Sequence, residues 1–223
     1  MTTMTQRQIH FVPRGDSLPP TAAEAFVEAV ERAIELRGIA AVALSGGATT
    51  RRLFDMLTSE RFAARLEPLW TRLHVFWTNE RHVRPDHPES CYRLAHWSLL
   101  SRFAIPSTNV HRIRAEMADG SSIAAAYQHE LRTFFEKRDM LRDGLPCFDL
   151  AIVSMDDRDE LAPAESSSGG DVRWVTTRTS PSREHVEIGL TVPVLRNARS
   201  ALVLLSNDAA AAGRAAHVLR LVA

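Results

Sequence analysis

The sequence predicts an α/β fold: a three-layer, Rossmann-like, mostly parallel sheet with helices on both faces. Strand-like and helix-like patterns alternate along almost the whole chain, the order expected of βαβ units. The run IAAVAL at 39–44 is continuously apolar, as suits a parallel strand covered on both faces. The chain has 223 residues, 45% of them hydrophobic, enough to bury one large core.

IHFVP at 9–13 reads as a short strand. PPTAAEAFVEAVERAIELRG at 19–38 reads as a helix, with Pro19 and Pro20 before it, Thr21 as its cap and Gly38 as its end. Its positions Ala25, Phe26, Ala29, Val30, Ala33 and Ile34 recur at helical spacing. The strand at 39–44 follows, then a helix at 49–60, a strand at 72–78, and helices at 90–103 and 121–138. Apolar strands follow at 148–153 and 200–206, and a last helix at 208–221. AESSSGGD at 164–171 is a low-complexity surface loop. With no internal repeat and no firm boundary, residues 1–223 read as a single domain.

The bulk numbers exclude several classes. Lys and Arg number 27, as do Asp and Glu, so no basic stripe points to nucleic acid and no acidic arm is present. The N-terminus MTTMTQRQIHFVPRGDS lacks a signal-peptide run. No stretch nears the roughly 18 apolar residues of a membrane-spanning helix. Cys91 and Cys147 make neither a metal spacing nor a disulfide framework. The expectation is a cytoplasmic protein that binds neither nucleic acid nor membrane. No pattern fixes its oligomeric state.

In VALSGGATTRRLFDML (42–57), a strand runs through Ser45-Gly46-Gly47-Ala48-Thr49 into a helix. Glycine permits positive φ and close backbone approach. Free N–H groups at a helix start suit an anion, and Ser45 and Thr49 can add hydroxyl donors. This is neither GxGxxG nor a P-loop, so no nucleotide is implied; on this stretch alone, a phosphate cradle and a plain tight turn fit equally. In HVFWTNERHVRPDHPESCYRL (74–94), Arg81 and Arg93 are candidates to reach an anion held by the glycine loop, because both loops open at the same sheet edge. His82 and His87 lie five apart in a proline-bearing loop, a poor metal spacing, and read as solvated or structural. No metal is expected.

These segments resemble the 6-phosphogluconolactonase family and the related glucosamine-6-phosphate isomerases. Ser45–Thr50 is similar to the family's SGGSTP, and WTNERHVRPDHPESCYR (77–93) to W-G-D-E-R-x-V-x-x-D-H-x-x-S-N-Y-R. IPSTNVHRIRAE (105–116) and LTVPVLRNARSALVLLS (190–206) match two further segments in unbroken order. The resemblance implies hydrolysis of 6-phosphogluconolactone in the oxidative pentose phosphate pathway, a sugar-phosphate ligand, and no cofactor. It also implies a phosphate site at Ser45, Gly46, Gly47, Ala48, Thr49, Arg81 and Arg93.

The chain departs from the family at several places. The motif G-M-G-x-D-G-H-T-A-S-L-F-P that supplies the family's base falls on SMDDRDELAP, and its histidine falls on Glu160. Asn79 replaces the Asp of D-E-R, Cys91 the Asn of S-N-Y-R, and Glu187 an Arg. The chain stops at HVLRLVA, where family members continue into another strand. A Glu187 side chain turned inward would repel a dianionic substrate. Glu160 is the candidate catalytic base: burial raises a carboxylate's pKa toward neutrality, and Asp156, Asp157 and Asp159 would push the same way. Five consecutive charges also suit a wet turn. Ser154 lacks a nucleophile-elbow context. Two readings follow, a lactonase with a changed base or an inactive member that binds a sugar phosphate or a protein partner. A sugar-phosphate isomerase is disfavoured, because the amide of Asn79 stands where that chemistry needs a carboxylate.

Overall fold

The computed structural model describes residues 8–12, 18–117, 119–155, 172–179 and 184–205. The elements in chain order are β1 (Gln8–Val12), α1 (Leu18–Arg37), β2 (Ala40–Leu44), α2 (Ala48–Leu57), α3 (Glu60–Leu66), β3 (Leu73–Trp77), β4 (Asn79–Arg81) and α4 (Cys91–Ser98). Then come α5 (Gly120–Lys137), β5 (Leu141–Arg142), β6 (Leu145–Pro146), β7 (Leu150–Met155), β8 (Val175–Arg178), β9 (Glu187–Leu190), α6 (Val192–Asn197) and β10 (Ser200–Leu205).

Five strands form a wholly parallel sheet in the order β1-β10-β7-β2-β3. Every residue of β2 and β3 is buried, so both faces of the sheet are covered, as the unbroken apolar run at 39–44 predicts. Helix α1 packs on β2, β7 and β10. Helix α5 lays Phe134 and Phe135 against Phe76, and Phe135 also meets Phe148. Asp149, buried at the amino-terminal edge of the sheet, is paired with Arg37 and Arg199 and accepts the Ala41 N–H at 2.9 Å.

Strand order fixes where a ligand can sit. From β2 the chain moves outward to β3 on one side, and from β7 it moves to β10 on the other. The order therefore reverses between β2 and β7, and open α/β sheets bind ligands at that crevice, beyond the carboxyl ends of the strands.

Several predicted boundaries move. Helix α1 starts at Leu18, so Thr21 lies inside it rather than capping it; the two prolines sit in the first turn, where no N–H is required of them. Gly38, at φ +78°, does end it, its N–H bonding Ile34 O at 2.8 Å. The helix predicted over 49–60 stops at Leu57, and Ser59 starts a second helix that buries Phe62 and Leu66. The helix predicted over 90–103 stops at Ser98 and gives way to a 3-10 turn at Leu100–Arg102.

A second sheet, β4-β9-β8, is antiparallel and was not anticipated. Its strands are three or four residues long and partly polar, which leaves no periodicity to read. Leu190 N–H bonds Thr78 O at 2.8 Å and ties this sheet to the carboxyl end of β3. The surface loop at 164–171, the helix at 208–221 and Glu160 all lie outside the described residues.

Candidate active site

Strand β2 ends beside β3, with Thr78 N–H bonding Leu44 O at 2.7 Å. The next three residues turn into α2. Gly47 has φ 94° and ψ 163°, a region that only glycine occupies without strain. It is the N-cap of α2 and no side chain caps it. The first backbone bond of the helix is Arg51 N–H to Gly47 O at 3.1 Å. The amides of Ala48, Thr49 and Thr50 thus precede any intrahelical partner and carry the positive end of the helix dipole.

The second reason for glycine here is contact within the protein. A Cβ on Gly46 would collide with Cys91 Sγ, and one on Gly47 would lie 3.3 Å from Ser154 Oγ. Gly47 therefore faces the end of β7 across the crevice where the strand order reverses. Gly46 is the point where the loop presses on α4. Thr49 is half-buried and Ala48 exposed.

Ser45, predicted as a hydroxyl donor to phosphate, is buried, and its Oγ donates to Asn79 Oδ1 at 3.2 Å. Thr78 Oγ1 donates to the same oxygen at 3.2 Å. The Asn79 amide nitrogen donates to Glu187 Oε1 at 2.9 Å. A carboxylate accepts only, so this network also fixes which way the amide points. Glu187 is buried, and its other oxygen lies 3.3 Å from Arg178 Nη2. That distance makes an ion pair, but the angle leaves Glu187 Oε2 without a proper hydrogen bond. The negative charge of Glu187 is thus held by an amide and a guanidinium of its own chain, which answers the repulsion expected of it.

Glu80 organises the next layer. Its buried carboxylate accepts from the N–H groups of Arg81 (2.8 Å), Cys91 (2.7 Å) and Tyr92 (2.7 Å), and from Ser90 Oγ (3.0 Å). Burial pushes its pKa up, while those four donors pull it down. It satisfies the open end of α4 and holds the backbone N–H of Arg81. In the sequence Glu80 matches the Glu of the D-E-R motif, but nothing there shows that its carboxylate binds backbone; it lies in β4, ahead of a helix start.

Arg81 Nη1 donates to Glu89 O at 3.0 Å and lies 3.8 Å from Cys91 Sγ. Cys91 therefore touches both the glycine loop and Arg81, and the two predicted anion-binding elements meet there. Burial, with help from Glu80, holds the Cys91 thiol well above its usual pKa, so it fills space as a neutral group. Arg93 lies two residues further along α4; its N–H bonds Ser90 Oγ at 3.1 Å, and its guanidinium makes no hydrogen bond to the glycine loop among the described residues. Glu160 lies five positions beyond Met155, the last residue of β7.

A loop that offers uncapped amides at a strand-order reversal, with an arginine nearby, has the geometry and charge that suit a small anion. The sequence profile of the glucosamine-6-phosphate isomerase/6-phosphogluconolactonase family matches residues 13–220. The chain belongs to this family. Among its relatives is a protein of Synechocystis named 6-phosphogluconolactonase, 32% identical over 181 residues that cover 79% of this chain and 70% of that one. A Mycobacterium tuberculosis protein of the same name is 29% identical over 218 residues, covering 94% and 85%. Solved structures share the fold of this family member. The 6-phosphogluconolactonase of Trypanosoma cruzi gives a TM-score of 0.74 at 22% identity, covering 91% of this chain and 81% of that one. That of Thermotoga maritima gives 0.67 at 21%, covering 90% and 100%.

Proposed function

We propose that this protein hydrolyses 6-phosphogluconolactone to 6-phosphogluconate. The observation that carries the reading is the uncapped start of α2 at Gly47, opposite Ser154 and joined to Arg81 through Cys91. In this reading the phosphate group takes its hydrogen bonds from the amides at Ala48–Thr50, with Arg81 and Arg93 supplying positive charge. The sugar ring then extends over the carboxyl end of β7, toward the chain that leaves Met155. Glu160 is the base. It takes a proton from water as the water oxygen attacks the lactone carbonyl carbon; the ring C–O bond breaks and the ring oxygen is protonated. Family membership and the names of the relatives support this activity, and the free, buried cysteines Cys91 and Cys147 suit a cytoplasmic setting. No helix among the described residues is long and apolar enough to cross a membrane. The run of the family match from 13 to 220 supports one domain.

The test is hydrolysis of 6-phosphogluconolactone by purified protein against buffer alone, with Glu160→Ala in parallel. The expected result is a rate above buffer that falls about a hundredfold or more in the variant. A wild-type rate equal to buffer would overturn the hydrolase reading and leave the cradle as a binding site. A fast Glu160→Ala protein would overturn only the assignment of the base.

A further inference from the structure

We propose that His87, Glu89 and His185 form a binding site for a divalent transition-metal ion of the zinc class. One ligand atom from each residue lies within 4.8 Å of the others. Glu89 Oε2 and His185 Nε2 are 3.8 Å apart, and the two imidazole rings meet edge to face with centroids at 5.3 Å.

The backbone brings the three together. His185 precedes β9, which pairs with β4 through Arg81 and Glu187, and His82 N–H extends that pairing to Val186 O at 2.7 Å. The loop after β4 is tied by two turn bonds, His87 N–H to Arg84 O and Ser90 N–H to His87 O, both 3.0 Å. Residues about a hundred positions apart are therefore held opposite each other by ladder and turn hydrogen bonds.

The chemistry suits a metal better than an ion pair. A tetrahedral ion with ligand bonds of about 2.0–2.2 Å needs its donor atoms about 3.4 Å apart. The present spacing, up to 4.8 Å, is wider than that, so ligation draws the three side chains together. Two imidazoles and one carboxylate favour zinc, nickel or copper over magnesium or calcium. Glu89 is more than half exposed, which leaves room for water at the remaining position. The neighbouring charges are accommodated: Arg84 pairs with Asp86 at 3.2 Å, and Arg81 is turned to the Glu89 carbonyl. One rearrangement is required. Glu89 N–H donates to His87 Nδ1 at 3.2 Å, and ligation through Nε2 puts the proton on Nδ1 and gives up that long contact.

The site adjoins the proposed phosphate cradle, since Arg81 donates to the Glu89 carbonyl, so its test does not use activity. Chelator-treated protein is titrated with zinc chloride by calorimetry. The expected result is one ion per chain, with affinity reduced about a hundredfold in His87→Ala and in His185→Ala and about tenfold in Glu89→Gln, while magnesium chloride gives no such binding. Thermal melting without metal checks that each variant is folded, and His185→Gln replaces any that is not. Zinc binding that survives the double substitution His87→Ala/His185→Ala, or wild-type protein that binds no ion at this stoichiometry, would overturn the assignment.

Discussion

Asn79 donates a hydrogen bond to Glu187 at 2.9 Å, and these are two of the positions where the chain departs from the motifs its family uses. The two departures are in contact, 108 residues apart in sequence. Where the family pattern sets an acid at one position and a base at the other, this chain sets an amide against an acid and holds the acid with Arg178.

Asn79→Asp alone sets two carboxylates against each other in a largely buried site, and is expected to destabilise the protein by about 2–4 kcal/mol. Asn79→Asp with Glu187→Gln restores one donor, one acceptor and one negative charge to the pair. Urea unfolding of the four proteins in the cycle should give a favourable coupling of about 1–3 kcal/mol. Additive effects would show that the contact contributes nothing.

Gly46 and Cys91 make a second pair. Gly46→Ala drives a methyl group into the cysteine sulfur and is expected to lower stability by about 1–3 kcal/mol. Removing the sulfur with Cys91→Ala in the same chain should recover part of that loss, since the next contact, Cys91 Cβ at 3.2 Å, remains tight. Thermal melting of both single variants and the double one decides it; a double variant worse than both singles would place the constraint elsewhere.

Glu80 is predicted to be structural. Glu80→Gln keeps the shape but turns a two-oxygen acceptor into a group with one, leaving buried N–H groups of the Arg81–Tyr92 segment unsatisfied. The expected cost is about 2–3 kcal/mol in unfolding free energy. A variant as stable as the parent would show that these four contacts are replaceable.

His74 predicts an acid sensitivity. Its ring nitrogen lies 3.1 Å from His111 Nε2, and His111 Nδ1 lies 2.9 Å from Glu130 Oε1. Burial first, then the charges of His111 and Arg138, hold the His74 pKa down to about 4, from 6.5. Between those values the unfolded chain binds the extra proton, so stability rises with pH through this window and is lost as pH falls from about 6.5 to about 4. The full loss is about 3 kcal/mol. Urea unfolding at pH 7 and pH 4 should show it, and His74→Gln, which cannot titrate, should show a drop smaller by that amount.

The parallel sheet was legible because its strands are apolar on both faces and β2 carries its glycine loop directly after it. That Gly46 and Arg81 both border Cys91 has a related reason: segments after neighbouring parallel strands open at one edge. The antiparallel sheet was not legible, since strands of three or four residues leave no period to detect, and with it went the contact between Asn79 and Glu187. Motif residues that sequence reading carries only as resemblance turn out to bind backbone. The side-chain amide of Asn109 donates to Thr71 O and Leu73 O, and that of Asn197 to Arg142 O and Leu145 O. Ser45 was expected to face phosphate, yet its hydroxyl is spent on Asn79, a partner 34 residues away that no local pattern announces.

The most direct test of the phosphate cradle is a comparison of 6-phosphogluconolactone with the unphosphorylated gluconolactone as substrates for the parent protein and Arg81→Ala. The parent is expected to prefer the phosphorylated lactone strongly, and Arg81→Ala to shrink this preference about tenfold or more through KM, with little change in kcat. A parent protein that leaves both lactones at their spontaneous rates, or a preference that Arg81→Ala does not alter, would contradict the phosphate cradle.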